Sequence, residues 1–174
     1  MPQSSPAILT ISRGVLRLLV ILNWVCGAAF LALLVMSIAL EQQLLEVLAR
    51  DPLGSTPQQL LTALRMIVIL GLFAVPLGHL VLTRLLAIVN TVRAGDPFIP
   101  DNARRLTMIA WGLLGLQVID LLFGAVAIGV NEGGGPLSGW TFNMTGWLAV
   151  LLLFVLARVF EQGARMRDDI EGTV

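Results

Sequence analysis

The chain has 174 residues, 57% of them hydrophobic and 13% charged, and its mean hydropathy is +0.89, a balance outside that of soluble domains. Eleven arginines offset eleven Asp and Glu, lysine is absent and the net charge is zero, so composition offers no electrostatic reason for direct nucleic-acid binding. Cys26 is the single cysteine, which excludes an internal disulfide. These features point to an integral membrane protein.

A helix needs about 20 apolar residues to cross the bilayer core, and four stretches meet this need. The first covers residues 15–40, behind Arg13 and Arg17. Its apolar run continues well past Cys26, and the residues before Cys26 are not small, so a retained helix is expected rather than a cleaved leader or lipoprotein signal. The connection "EQQLLEVLARDPLGSTPQQLLTALR" follows. Leu40, Leu44, Leu45 and Leu48 continue the helical spacing, and Asp51-Pro52-Leu53-Gly54 ends it. Thr56, Pro57 and Gln59 then form a capping-box pattern that starts a new helix. The expected result is a helical hairpin projecting beyond the membrane.

The second span covers residues 64–86, with an amphipathic continuation to Val92. Gly71, Ala74 and Gly78 make a small-residue face within it, and Pro76 is expected to free a backbone carbonyl for a side chain to satisfy. In the polar stretch "GDPFIPDNARRL", Gly95 ends the helix, Asp96-Pro97 turns the chain, and Asp101 or Asn102 caps the next helix. The third span covers residues 106–130 and the fourth 138–160, joined by the glycine-rich "NEGGGPLSG". The expected fold class is all-α: an integral membrane four-helix transmembrane bundle with a helical extramembrane hairpin between helices 1 and 2, forming one domain over residues 1–174.

Arginines in short flanking loops resist translocation. Arg13, Arg17, Arg84, Arg93, Arg104, Arg105, Arg158, Arg165 and Arg167 all fall on one side, against Arg50 and Arg65 on the other. This bias predicts an inner (plasma) membrane protein with both termini in the cytoplasm.

Asp120 stands out because it lies near the middle of the third span, where an ionised carboxylate costs several kcal/mol. It shares a helical stripe with Leu113, Gln117, Gly124 and Ala127, which is expected to face the bundle interior. The candidate intramembrane polar site is Gln117, Asp120, His79 and Asn143, with Asn23 and Thr145 as further partners for Asp120. Its functional reading is a proton or cation site; its structural reading is a hydrogen-bonded carboxyl joining helices. His79 is the only histidine, so a multi-histidine metal site is excluded, and no cofactor motif is present. Nucleophile elbow, phosphate loop and paired-carboxylate patterns are absent too, so no enzyme is expected.

The tail "RVFEQGARMRDDIEGTV" continues the fourth helix, with Glu161/Arg165, Arg165/Asp169 and Arg167/Glu171 each four apart, the spacing of a self-paired solvated face. Gly95, Pro97, Phe98 and Asn102 in the loop, with Phe160, Gly163, Glu171, Thr173 and Val174 in the tail, resemble the DUF2975 (domain of unknown function) family of prokaryotic four-helix membrane proteins. The resemblance is clearest from the second span onward. It brings no catalytic residues, but relatives are often encoded beside a small helix-turn-helix regulator, which implies that the membrane protein binds or controls such a regulator. The candidate cytoplasmic partner surface is Gly95, Pro97, Phe98, Asn102, Arg104, Arg105, Phe160, Gly163 and Arg165. The alternative expectation is a small transporter or channel subunit using Asp120, which would require a homo-oligomer.

Overall fold

The computed structural model describes residues 6–50, 56–95, 99–130 and 140–171. Five helices follow in chain order: α1 (Pro6–Ala39), α2 (Glu41–Leu48), α3 (Pro57–Arg93), α4 (Pro100–Val130) and α5 (Met144–Glu171). Four are long and apolar enough to cross a membrane, over Thr10–Ala39, Pro57–Arg93, Pro100–Gly129 and Met144–Met166. The fold is the all-α, four-span architecture expected from hydropathy, with α2 as a short non-membrane helix between the first two spans.

The spans pack in chain order: α1 on α3, α3 on α4 and α4 on α5, with α2 folded against α3. Among the described residues α1 touches neither α4 nor α5. The inner helices are therefore α3 and α4, and α1 and α5 turn most of their apolar surface outward. Leu18, Ile21, Trp24 and Leu31 of α1, and Leu151, Leu152 and Val155 of α5, are all exposed in this way, as lipid-facing side chains should be.

Small residues set the close approaches, because helices in lipid associate through packing rather than through exclusion of water. A Cβ on Gly71 would come within 2.9 Å of the Phe30 ring, and one on Gly27 within 3.1 Å of Val75, so α1 and α3 interlock in both directions. Between α3 and α4, Gly112 lies under Val81 and Gly115 under Leu77. On α5 the buried residues Val150, Ala157 and Ala164 recur every seventh position, giving α4 a narrow small-residue seam.

The hairpin at the other end is organised by local chemistry. Thr56 caps α3: its hydroxyl accepts from Gln59 N, the Gln59 side chain accepts from Thr56 N, and Pro57 opens the helix, as the pattern predicts. Thr56→Ala is expected to destabilise the hairpin by about 1 kcal/mol, seen as faster amide exchange over residues 58–60, whereas Thr56→Ser should keep near-native protection.

The chain departs from a continuous helix at Leu40, whose dihedrals are φ −109° and ψ 27°. A helix end leaves carbonyls without partners, and Arg65 of α3 supplies one: its Nη2 donates to the Ser37 carbonyl at 2.7 Å and to Glu41 Oε2 at 3.0 Å. Ser37, only 5% exposed, turns its hydroxyl to Leu34 O at 2.8 Å. Arg65 thus pins the break between α1 and α2 while Glu41 balances its charge. By sequence it counted only as a flanking cation.

At the far end of the bundle α5 begins at Met144 rather than near residue 138, so Trp140 to Asn143 precede the helix. Phe142 stacks on Trp147 with centroids 6.3 Å apart, an aromatic pair at the start of the span.

Candidate partner surface and intramembrane polar residues

At the arginine-rich end α3 stops at Gly95, whose φ of +88° is the left-handed conformation glycine adopts at least cost. Pro97 and Phe98, expected to form part of the partner surface, lie outside the described residues. α4 begins at Pro100, so Ile99 occupies the cap position, and neither Asp101 nor Asn102 does. Proline suits the first helical position because its missing N–H would have no helical partner there. Asp101 lies in the first turn, where the helix dipole favours a negative charge, and it sits 3.7 Å from Arg105.

Asn102 requires a correction. Placed on the partner surface by sequence, it is fully buried, with 0% exposure. Its Nδ2 donates to Thr91 Oγ1 at 2.8 Å, and its Oδ1 accepts from Arg105 Nη1 at 2.9 Å. The Thr91 hydroxyl in turn reaches Ile88 O at 2.8 Å. This side chain therefore ties the last turn of α3 to the first turns of α4. Arg105, half-buried, belongs to the same latch, so the expected surface loses both residues to internal structure.

Arg104 faces the other way. It is exposed and lines a cleft of ≈ 800 Å³ between the start of α4 and the end of α5, with Arg158, Glu161 and Arg165 on the opposite wall. Glu161 holds two arginines at once, Arg158 Nη1 at 2.7 Å and Arg165 Nη2 at 2.6 Å. The Glu161/Arg165 pair was expected from spacing, whereas Arg158 as a second partner was not. Arg104 has no carboxylate partner among the described residues. Phe160 and Gly163 are half-buried beside this wall.

The intramembrane residues divide between two interfaces. At α1–α3, the Trp24 indole Nε1 donates to His79 Nδ1 at 3.2 Å, with the rings edge to face. Asn23 Nδ2 donates to Val75 O at 3.0 Å, and Gly78 leaves room for the Asn23 side chain. The proline at position 76 removes the N–H partner of the Leu72 carbonyl, so the side-chain donor expected near Pro76 is present but serves the neighbouring carbonyl of Val75.

At α4–α5, the Gln117 amide packs directly over the backbone of Gly146, and its Oε1 is buried without a hydrogen bond. Asn143 is exposed before α5, where its Oδ1 accepts from Gly146 N at 3.2 Å as a helix cap. It is therefore not a mid-span residue, because the span starts after it. Gln117 and Asn143 meet around Gly146, with Asp120 one turn further along α4, half-buried and without a hydrogen bond among the described residues. His79 and Asn23 are engaged at the other interface, so the proposed set does not converge on one centre.

Four apolar, membrane-length helices with an arginine-rich end define a multi-span helical membrane protein. Among the described residues no group of three or more His, Cys, Asp or Glu side chains is placed to hold a metal ion. The DUF2975 family, described as a protein of unknown function, matches residues 20–174, and the chain belongs to this family. The match begins within α1, well before the region where the sequence resemblance is most evident. No curated protein and no solved structure matches the chain.

Proposed function

We propose that this protein is a non-enzymatic component of the inner membrane that holds a small helix-turn-helix regulator at its arginine-rich end, facing the cytoplasm. Two sequence features support this reading: the one-sided distribution of arginines and the family resemblance, with its neighbouring regulator genes. The observation that carries it is the continuation of α5 to Glu171, past Arg158, with Gln162, Arg165 and Met166 exposed on it. A helix end projecting from a membrane domain is a rigid platform with adaptable side chains, and Arg165, exposed on it, supplies a cation for an acidic partner residue.

The experiment is co-purification of the adjacent-gene regulator with the full chain in mild detergent. The wild-type protein is expected to retain the regulator, and Arg165→Glu to release at least about 90% of it, the scale of a lost charge pair replaced by repulsion. A wild-type protein that never retains the regulator would overturn the proposal.

A further inference from the structure

The cleft between α4 and α5 has a polarity of its own that docking of a soluble protein does not use. On α4, Arg104 is followed one turn deeper by Met108. On α5, which runs in the opposite direction, Arg158 is followed one turn deeper by Phe154, and all four side chains line the same cleft. Both walls therefore pass from guanidinium to apolar side chain at the same depth. Trp111, 61% exposed, meets the edge of Phe154 at 5.4 Å between centroids and extends the apolar track. Among the described lining residues three arginines stand against one carboxylate, Glu161, a net positive set, and Arg104 has no carboxylate partner among the described residues.

We propose that this cleft is a binding site for an anionic phospholipid, with its phosphate at Arg104 and Arg158 and an acyl chain along Met108, Phe154 and Trp111. The proposal does not rest on the regulator reading. Charge complementarity selects the headgroup, since basic pockets between membrane helices hold anionic lipids through contacts of this kind. The apolar floor selects a lipid over a soluble anion. It also selects a lipid over an acidic peptide, because Met108 and Phe154 lie one helical turn further from the ends of α4 and α5 than Arg104 and Arg158 do, where the lining offers a soluble chain no polar partner. The cleft volume of ≈ 800 Å³ falls within the usual range of small-ligand sites, about 300–1,000 Å³. Long arginine stems suit the rim because they keep the charge at the headgroup level while their methylenes cover apolar surface.

The test uses the full-length chain reconstituted in phosphatidylcholine nanodiscs containing a minor fraction of phosphatidylglycerol with the same acyl chains. After transfer to detergent, retained lipid is counted by native mass spectrometry. Phosphatidylglycerol is expected to be retained over phosphatidylcholine by about tenfold or more, the scale of two cationic contacts to one headgroup. That preference should vanish in Arg104→Gln/Arg158→Gln and survive in Arg50→Gln, which changes an arginine at the opposite end. Equal retention of the two lipids by the wild type, or an undiminished preference in the double variant, would overturn the proposal. Inorganic phosphate or a soluble acidic peptide displacing the lipid at micromolar concentration would also overturn it, by showing a site for a soluble anion. The exposed positions of both arginines leave folding intact, which an unchanged unfolding midpoint verifies.

Discussion

Replacing Asn102 with leucine is expected to lower stability by about 3 kcal/mol, the largest effect of any single change at the arginine-rich end. The side chain is fully buried and bonded on both sides, to Thr91 through Nδ2 and to Arg105 through Oδ1. Leucine matches its size but leaves the Thr91 hydroxyl and a guanidinium N–H without that partner, and a buried polar group stripped of its partner costs about 1–3 kcal/mol, more when charged. Thr91→Val removes one contact and leaves Asn102 bonded to Arg105, so it should cost about 1 kcal/mol. Thermal unfolding of the detergent-solubilised protein separates the two. A value for Asn102→Leu within about 0.5 kcal/mol of wild type, as for an ordinary surface change, would show that the latch does not hold the ends of α3 and α4 together.

The second large effect lies at the opposite end of α4. Gly124 sits against the flat of the Trp140 indole, whose atoms occupy the space that a Cβ would take. The indole is rigid, so Gly124→Ala must push it aside, and forced overpacking of this kind costs about 1–3 kcal/mol. The same glycine-to-alanine change in a Trp140→Leu background should cost less than half as much, because the more flexible side chain yields. The double-mutant cycle then gives a coupling of at least about 1 kcal/mol. Strict additivity of the two changes would mean that Trp140 does not pack on this face of α4.

Much of this architecture is legible in the sequence because it rests on local signals. Four apolar runs give the spans, Thr56-Pro57 with Gln59 gives the start of α3, and Gly95 gives its end. Long-range pairings carry no such mark. Arg65 and Ser37 lie 28 residues apart, and nothing in either segment indicates that an arginine of the second span will take a carbonyl released at the end of the first. Asn102 was misread for a related reason: in a polar loop beside Arg104 and Arg105 it has the composition of a surface, and only the return of Thr91 across the turn buries it. Asn143 was assigned to the span because "LSGWTFNMTGW" is moderately apolar throughout, while its capping bond to Gly146 defines where the helix begins.

The polar residues of the spans show the same limit. The spacing of Gln117 and Asp120, three residues apart on one helix, puts them on one stripe. Which helix faces that stripe depends on the packing order. With α3 the one span that α1 packs on among the described residues, Asn23 pairs with the Val75 carbonyl and His79 with Trp24. On α4, Gln117 is left to meet the start of α5 at Gly146.

The central claim, that the arginine-rich end is a cytoplasmic platform for a regulator, is tested most directly by site-specific photo-crosslinking in intact cells. A photoreactive residue is placed either at Arg165 on the exposed end of α5 or at Gln42 on α2 at the opposite end, both exposed. The account predicts a crosslink to the small helix-turn-helix regulator from position 165 and none from position 42. Crosslinks from position 42 alone, or from neither position while the regulator is present, would contradict it.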